Sequence, residues 1–394
     1  MNKAIFFAPL LRGAFIEKSR RPWIIRATDT TGNTMELPIT VTAKERATEE
    51  IPAALEASSF VREHTLPLRI SIRSGGTEYR YLCAPDFSGI ERILRGEQLE
   101  AWDIKSIDAC SGECQAHSRA DVVRDKLALI TGGAQGFGEE ITRGLAAAGA
   151  LVFIADLNMT GAERLAQGIN GEYGKTVAFP VKVNVADEES VQAMTEQIAL
   201  EAGGLDLCVS NAGVLRASSI LEQDIASFRF VTEVNYTAFA IVSKYCGLLM
   251  KAQHETAPSW LADIVQVNSK SGLEGSNKNG SYAGSKFGGI GLVQSFAKEL
   301  VEYGIKVNAI CPGNFFDGPL WSDPEKGLFV QYLKTGKVSG AKTIADVKSF
   351  YEAKVPMNRG CMGKDVLRAI LYLIEQEYET GQALPVTGGQ VMLS

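Results

Sequence analysis

The chain has 394 residues, a formal net charge of −6 and a hydrophobic share of 45%. That balance suits a globular protein of two domains or one large one. It argues against a nucleic-acid binder, which would carry a basic face, and no apolar run approaches the ~18 residues of a membrane span.

The N-terminus, "MNKAIFFAPLLRGAF", has a lysine and a short apolar run broken by Pro9 and Arg12. No small-residue cleavage site follows, so a signal peptide is not expected and a cytoplasmic location is. "PWIIRATDTTGNTMELPITVT" reads as two strands around a Gly32-Asn33 turn, and "LPLRISIRSGGTEYRYLCA" as two more around Gly75-Gly76. "KERATEEIPAALEA", interrupted by Pro52, and "SGIERILRG" carry helical patterns, and "LEAWDIKSIDA" suits a further strand. Residues 1–115 are therefore expected to form a small antiparallel-rich α+β domain, with a linker at 116–124. Cys110, Cys114 and His117, with Cys83 upstream, are residue types that ligate zinc, but their spacing matches no common zinc pattern. They read as unligated thiols around the linker, and no metal is expected. Seven cysteines at irregular spacing suit a reduced compartment rather than a disulfide framework.

From residue 125 the pattern changes. "KLALITGG", "LVFIAD", "VAFPVKVNV", "LDLCVSNAG", "ADIVQVNS", "IKVNAICPG" and "ALPVTGG" are short apolar runs with helical stretches between most of them. Continuous apolar strands alternating with helices indicate a Rossmann-type, doubly wound parallel sheet covered on both faces, over 125–394. "TGGAQGFG" lies directly after a strand and before a helix. Gly132, Gly136 and Gly138 there permit a tight turn, and a pyrophosphate can approach the free N–H groups of the helix, beside Gln135 and Phe137. Asp156, at the end of the second strand, can hydrogen-bond the ribose hydroxyls of an adenosine and would repel the extra phosphate of NADP. No Lys or Arg follows directly, at Leu157 and beyond, to receive that phosphate, so NAD is the expected coenzyme.

"TGGAQGFG", "NAG" at 211–213, "YAGSK" at 282–286 and "PG" at 312–313 occur in this order. The ordered set resembles the short-chain dehydrogenase/reductase family over roughly residues 122–394. The resemblance implies Tyr282 as catalytic acid/base, Lys286 as its partner, Ser269 orienting the substrate oxygen and Asn235 holding a water in a proton relay. It also implies coenzyme contacts from Asn211, Ala212, Gly213, Tyr282, Lys286, Pro312 and Gly313, and from Asn184-Val185, where the family often has Asp-Val. A threonine often follows the Pro-Gly pair to hold the nicotinamide carboxamide. "NFFDGPL" has none, which leaves main-chain contacts from Asn314 or Phe315. The chemistry agrees with these roles. A phenol of pKa ~10 is a poor base at neutral pH, and a lysine four residues along a helix lies on its face and favours the phenolate.

Within the family, "NSKSG", "GSYAGSKFGGIGLVQSFAKELVEYGI", "KVPMNRGC" and "TGGQVM" are similar to members that oxidise a sugar-alcohol phosphate. That similarity implies D-sorbitol 6-phosphate and D-fructose 6-phosphate as the pair interconverted with NAD. Ser269, Lys270, Ser271 and Arg359 are the expected substrate contacts, with Lys278, Lys354 and Arg216 as further candidates for the phosphate. Another polyol or polyol phosphate is the first alternative. A catalytically inactive NAD-binding regulatory protein is the second, and the presence of all four catalytic residue types counts against it. The family implies a homodimer or homotetramer. The extra first ~115 residues are left as an oligomerisation module, a lid over the active site or a regulatory domain.

Overall fold

The computed structural model describes residues 3–392, apart from 20, 29–35, 59–64, 68, 96–101, 104–118, 326, 335 and 337. Cys110, Cys114, His117 and the Gly32-Asn33 turn therefore lie outside the described residues.

The chain opens on a helix absent from the sequence expectations, α1 (Lys3–Ser19), which runs through Pro9. Phe7, Leu10, Leu11 and Phe15 are fully buried on it. A helix apolar all round must be enclosed, and α1 packs against α2 (Ala47–Ala57), the first strand and the helices Glu188–Ala202 and Ala238–His254. Contrary to expectation, α2 runs through Pro52, burying Ile51 and Leu55 on either side of it.

The strands of this region are β1 (Ile24–Thr28), β2 (Glu36–Thr40), β3 (Thr65–Leu66), β4 (Arg69–Ser74), β5 (Thr77–Ala84) and β6 (Trp102–Asp103). The β4–β5 hairpin forms as expected. Gly75 and Gly76 have φ of 57° and 79°, the double left-handed turn that two-residue hairpins need. β1 and β2 do not pair with each other. The sheet order is β1-β5-β4-β2, with β2 parallel to β4 and the other pairs antiparallel. Ile25, Ala27, Leu37 and Ile39 all face the core beneath α1 and α2 from opposite edges of the sheet.

The larger sheet holds β7 (Leu127–Thr131), β8 (Leu151–Asp156), β9 (Ala178–Lys182), β10 (Leu207–Ser210), β11 (Ala262–Val267), β12 (Ile305–Pro312) and β13 (Ala383–Val386). All seven are parallel, in the order β13-β12-β11-β10-β7-β8-β9. Every residue of β7, β10, β11 and β12 is buried, as both-face cover demands. The winding reverses between β7 and β10, which opens a crevice at the carboxyl ends of these two strands.

The N-terminal region sits at the other pole. Arg12 and Asp206 form an ion pair at 2.7 Å with both side chains fully buried, and Asp206 immediately precedes β10 at its amino end. Thr256 Oγ1 donates to Leu10 O at 2.7 Å, and the Phe87 and Phe179 rings lie 4.2 Å apart. Ile24, Leu82, Phe87, Ile90 and Ile93 belong to the same apolar core as the large sheet. The lid role considered for the first ~115 residues does not fit this placement, because the described part of them packs at the amino ends of the strands, opposite the crevice. Part of the expected linker is ordered too: Arg119–Val123 form a 3-10 turn, with Arg119 paired to Glu375 at 2.7 Å.

Candidate active site

The crevice is built by mutual locking of the motifs. Thr131 Oγ1 accepts from the N–H groups of Asn211 and Ala212 at 3.0 and 3.1 Å, and Asn211 Nδ2 donates to Thr131 O and Gly132 O, both at 3.0 Å. The turn after β7 and the turn after β10 are thereby one rigid unit. Gly132 has φ of 61° and Gly136 of 58°, the left-handed region that glycine enters at least cost. A Cβ on Gly138 would lie 2.0 Å from Gly132 O, so only glycine lets the helix Gly136–Ala147 start so close to the turn. Asp156 accepts from Ala134 N at 3.0 Å and from Asn158 N at 2.8 Å, which ties the end of β8 to the glycine-rich turn. Leu157 beside it is 67% exposed. Asn184 is exposed, and its Oδ1 accepts from Ala186 N at 3.2 Å.

Asn235 lies in a π-helical turn, Glu233–Thr237, a local widening that recurs at functional sites. Its Oδ1 accepts from Val214 N at 2.8 Å, and its Nδ2 donates to Val214 O at 2.9 Å and to Ser285 Oγ at 3.2 Å. It therefore joins the 211–214 turn to the helix Gly280–Leu300, which carries Tyr282 and Lys286. The glycines that follow let this helix press inward: a Cβ on Gly288 would meet the Tyr236 ring at 2.8 Å, and one on Gly289 would meet Gln266 Nε2 at 2.7 Å. Asn268 fixes the neighbouring strand end, accepting from Ser269 N at 2.8 Å and donating to Lys286 O at 2.9 Å.

Tyr282 and Lys286 share a helix face, with Lys286 Nζ 5.6 Å from the Tyr282 ring centroid. The electrostatics differ from the simple expectation of a lysine-lowered phenol. Burial pushes Tyr282 up, and a hydrogen bond with the Ser269 side chain offsets only part of this. Burial likewise brings Lys286 down to about 8, and its Nζ donates to Val267 O at 3.0 Å. Dry surroundings penalise both charged forms.

Ser269, Lys270, Ser271, Ser276, Asn277, Lys278 and Asn279 line one wall of a cleft of about 500 Å³ that also holds Tyr282, the glycine-rich turn and Gly313–Phe315. Leu320, Trp321, Leu328 and Tyr332 add a largely apolar part to the lining. These four were missed from sequence. They belong to short helices, Pro319–Ser322 and Leu328–Lys334, around a separate core of Phe316, Trp321, Phe329, Val338, Val347 and Val355. The aromatic spacing in "LWSDPEKGLFVQYL" is the signal that could have found them.

The phosphate candidates separate sharply. Lys270 and Lys278 line the cleft, and Lys278 holds a left-handed φ of 56°. Arg359 does not reach it: Asp365 binds the guanidinium at 2.6 and 3.1 Å, along a different cleft with Cys361, Arg368 and Thr387. Lys354 lies over the Phe350 and Tyr351 rings at 4.3 and 5.2 Å. Arg216 stacks on Phe230 at 4.4 Å and donates to Ser227 Oγ at 3.1 Å. No group of three His, Cys, Asp or Glu able to hold a metal occurs among the described residues, and none of the described helices is long and apolar enough to cross a membrane.

With this fold and this ordered set of site residues, the chain belongs to the short-chain dehydrogenase family, whose model matches residues 126–321. It is thus an oxidoreductase acting on a CH–OH group, of a family that uses a nicotinamide coenzyme. It is 34% identical to the sorbitol-6-phosphate 2-dehydrogenase of Escherichia coli (strain K12) over 270 residues, 68% of this chain and 99% of that protein. The crystal structure of sorbitol-6-phosphate 2-dehydrogenase SrlD from Erwinia amylovora superposes with a TM-score of 0.62 at 38% identity, covering 68% of this chain and all of that one. An uncharacterised oxidoreductase of Bacillus subtilis (strain 168) is 36% identical over 67% of this chain, which spans only 37% of that longer protein. Neither sorbitol-6-phosphate enzyme leaves room in its own length for a counterpart to the N-terminal region.

Proposed function

We propose that this chain interconverts a sugar-alcohol phosphate and a ketose phosphate, D-sorbitol 6-phosphate and D-fructose 6-phosphate first among them, with NAD as coenzyme. One observation carries the reading. The cleft beside Ser269 and Tyr282 is lined by two lysines, several hydroxyls and amides, and no carboxylate among the described lining residues, in a chain with more acidic than basic side chains. Such a lining suits an anionic, hydroxyl-rich substrate. The names of the two sorbitol-6-phosphate relatives agree with it.

In this reading Ser269 holds the substrate hydroxyl, and Tyr282 takes its proton as the carbon gives up a hydride. The coenzyme's nicotinamide supplies the hydride acceptor. Lys286 keeps the phenol's surroundings electropositive, and Asn235, fixed by Val214 and Ser285, holds a water in the proton relay. Asp156 favours NAD over NADP through its negative charge at the ribose end of β8. Lys270 and Lys278 take the phosphate. The division into a small domain at 1–115, a linker and a catalytic domain from 125 belongs to the same proposal, as does a cytoplasmic location, which the five free described cysteines suit. A homodimer or homotetramer is proposed through the helices Ala238–His254 and Gly280–Leu300, which flank a groove lined by Leu248, Phe296 and Tyr303.

The test is steady-state kinetics with sorbitol 6-phosphate, sorbitol and mannitol 1-phosphate against NAD and NADP, on the wild type and on Lys270→Ala and Lys278→Ala. Loss of one charge-assisted phosphate contact should lower kcat/KM for the phosphate ester by about 10- to 100-fold and leave sorbitol unchanged. A wild type that prefers sorbitol overturns the phosphate assignment, and one that prefers NADP overturns the role of Asp156.

A further inference from the structure

Asn279 stands where a helix cap belongs, three residues before Tyr282, yet it does not cap. Asparagine is among the best N-cap residues, because an extended backbone lets its side-chain oxygen accept from the N–H groups of the first turn. Asn158, Asp187, Asp224 and Thr343 all do this for their own helices. At Asn279 the backbone has φ of −146° and ψ of 32°, and the side chain makes no bond to the helix Gly280–Leu300. Lys278 before it, at φ of 56°, sets the chain on this course. Only 8% of Asn279 is exposed, and its Oδ1 is buried without a hydrogen-bond partner. A buried, unpaired amide is destabilising and is rare in a folded protein.

The surroundings keep it in place. A parallel β-bridge joins Asn279 to Ser218. Gln223 Nε2 donates to Ser281 Oγ at 2.9 Å and to Arg216 O at 3.4 Å, which ties the 216–223 segment to the same helix start. The amide is thus positioned by the fold and left unused by it, on the lining of the cleft that holds Ser269 and Tyr282. We propose that Asn279 is a specificity-determining residue whose amide hydrogen-bonds a second hydroxyl of the substrate, next to the carbon that reacts. The inference rests on the polyol reading above and deepens it. One helical turn before Tyr282 is the place from which a side chain meets the neighbouring carbon. A carboxamide offers two donors and an acceptor, and a hydroxyl both donates and accepts, so each satisfies the other. A site built to bond a hydroxyl rejects the analogue that lacks it, because its own buried polar group is then left unpaired. Lys270 and Lys278 read the charge of the substrate, and Asn279 reads its second hydroxyl.

The test is reduction of D-fructose 6-phosphate against its 1-deoxy and 3-deoxy analogues, each lacking one hydroxyl beside the reacting carbonyl. The enzymes are the wild type, Asn279→Ala and Asn279→Leu, the last keeping similar bulk without polar atoms. The wild type should prefer the parent ketose to one of the analogues by about tenfold or more in kcat/KM. Both variants should lose that preference to within about twofold, through lower activity on the parent ketose and not on that analogue. Coenzyme affinity by calorimetry should stay within about twofold, and the melting temperature should not fall, because no cap bond is lost. Equal losses on all three substrates would mean that Asn279 only shapes the helix start. A wild type indifferent to both hydroxyls, or variants that keep its preference, would mean that Asn279 does not meet the substrate. Each of these results overturns the proposal. If the wild type favours the unphosphorylated ketose, fructose and its deoxy analogues replace the phosphate esters, so failure of the phosphate assignment leaves this test standing. A wild type that turns over no ketose overturns the proposed function, and the inference falls with it.

Discussion

Arg12→Met should destabilise the whole molecule, although residue 12 lies outside the family's domain. The Arg12 guanidinium meets Asp206 at 2.8 and 2.7 Å, its Nε donates to Trp23 O at 2.6 Å, and it also bonds the Gln253 side chain. Both charges are fully buried. Removing one partner of a buried pair costs about 3–5 kcal/mol, because the other charge is left uncompensated. Asp206 would keep three donors, Leu127 N at 2.8 Å, Gln253 Nε2 at 3.2 Å and Trp260 Nε1 at 2.9 Å, which argues for the lower end, about 3 kcal/mol. Against a usual stability of about 5–15 kcal/mol this is a large loss. Burial pushes the Asp206 carboxyl up, but the charge and hydrogen bonds of Arg12, with help from Lys126 and Leu127 N–H, outweigh it and hold the group below the usual carboxylate range. Its stabilising contribution is therefore present above the unfolded carboxylate value and lost as pH falls through the folded one. In Arg12→Met burial prevails and the carboxyl rises, so the deficit of the variant should shrink as the solution is acidified. Urea denaturation followed by tryptophan fluorescence at pH 7 and pH 5 measures both effects. Adding Asp206→Asn should recover part of the loss. A deficit below about 1 kcal/mol at pH 7, or one that grows on acidification, would refute the reasoning.

Two further substitutions probe the dinucleotide end. Gly138→Ala places a methyl group 2.0 Å from Gly132 O and 2.7 Å from Asn211 Nδ2. It should prise the two turns apart and weaken coenzyme binding at least about tenfold, with circular dichroism unchanged. Asp156→Ala removes the acceptor for Ala134 N and Asn158 N together with the charge. The KM for NAD should rise by about tenfold or more, and the NADP-to-NAD ratio of kcat/KM should rise with it. An unchanged ratio would show that Asp156 does not discriminate between the coenzymes.

The large sheet was legible because each strand is a bounded apolar run and each turn carries its own chemistry. Asn211, Ser269, Tyr282 and Lys286 were readable because they lie in short strips whose order along the chain is informative. What escaped the sequence depends on tertiary partners. The α1 helix has no polar face to give a period, since it is enclosed on all sides. β1 and β2 alternate as strands should, but alternation does not say that they lie at opposite edges with β4 and β5 between them. Arg359 and Lys354 sit in informative strips, yet Asp365 and two aromatic rings claim them. Charge in a sequence does not reveal which side chain it will meet. The Phe137–Phe315 stack joins residues 178 positions apart, beyond any local pattern.

The most direct test of the account is the Tyr282→Phe variant, assayed for turnover of sorbitol 6-phosphate and, separately, for coenzyme affinity by calorimetry. Removal of one hydroxyl from the proposed proton acceptor, with the ring and its packing kept, should lower kcat by about a thousandfold or more and leave coenzyme affinity within about twofold. A variant that retains most of its turnover would show that the proton leaves by another route and that this cleft does not work as described.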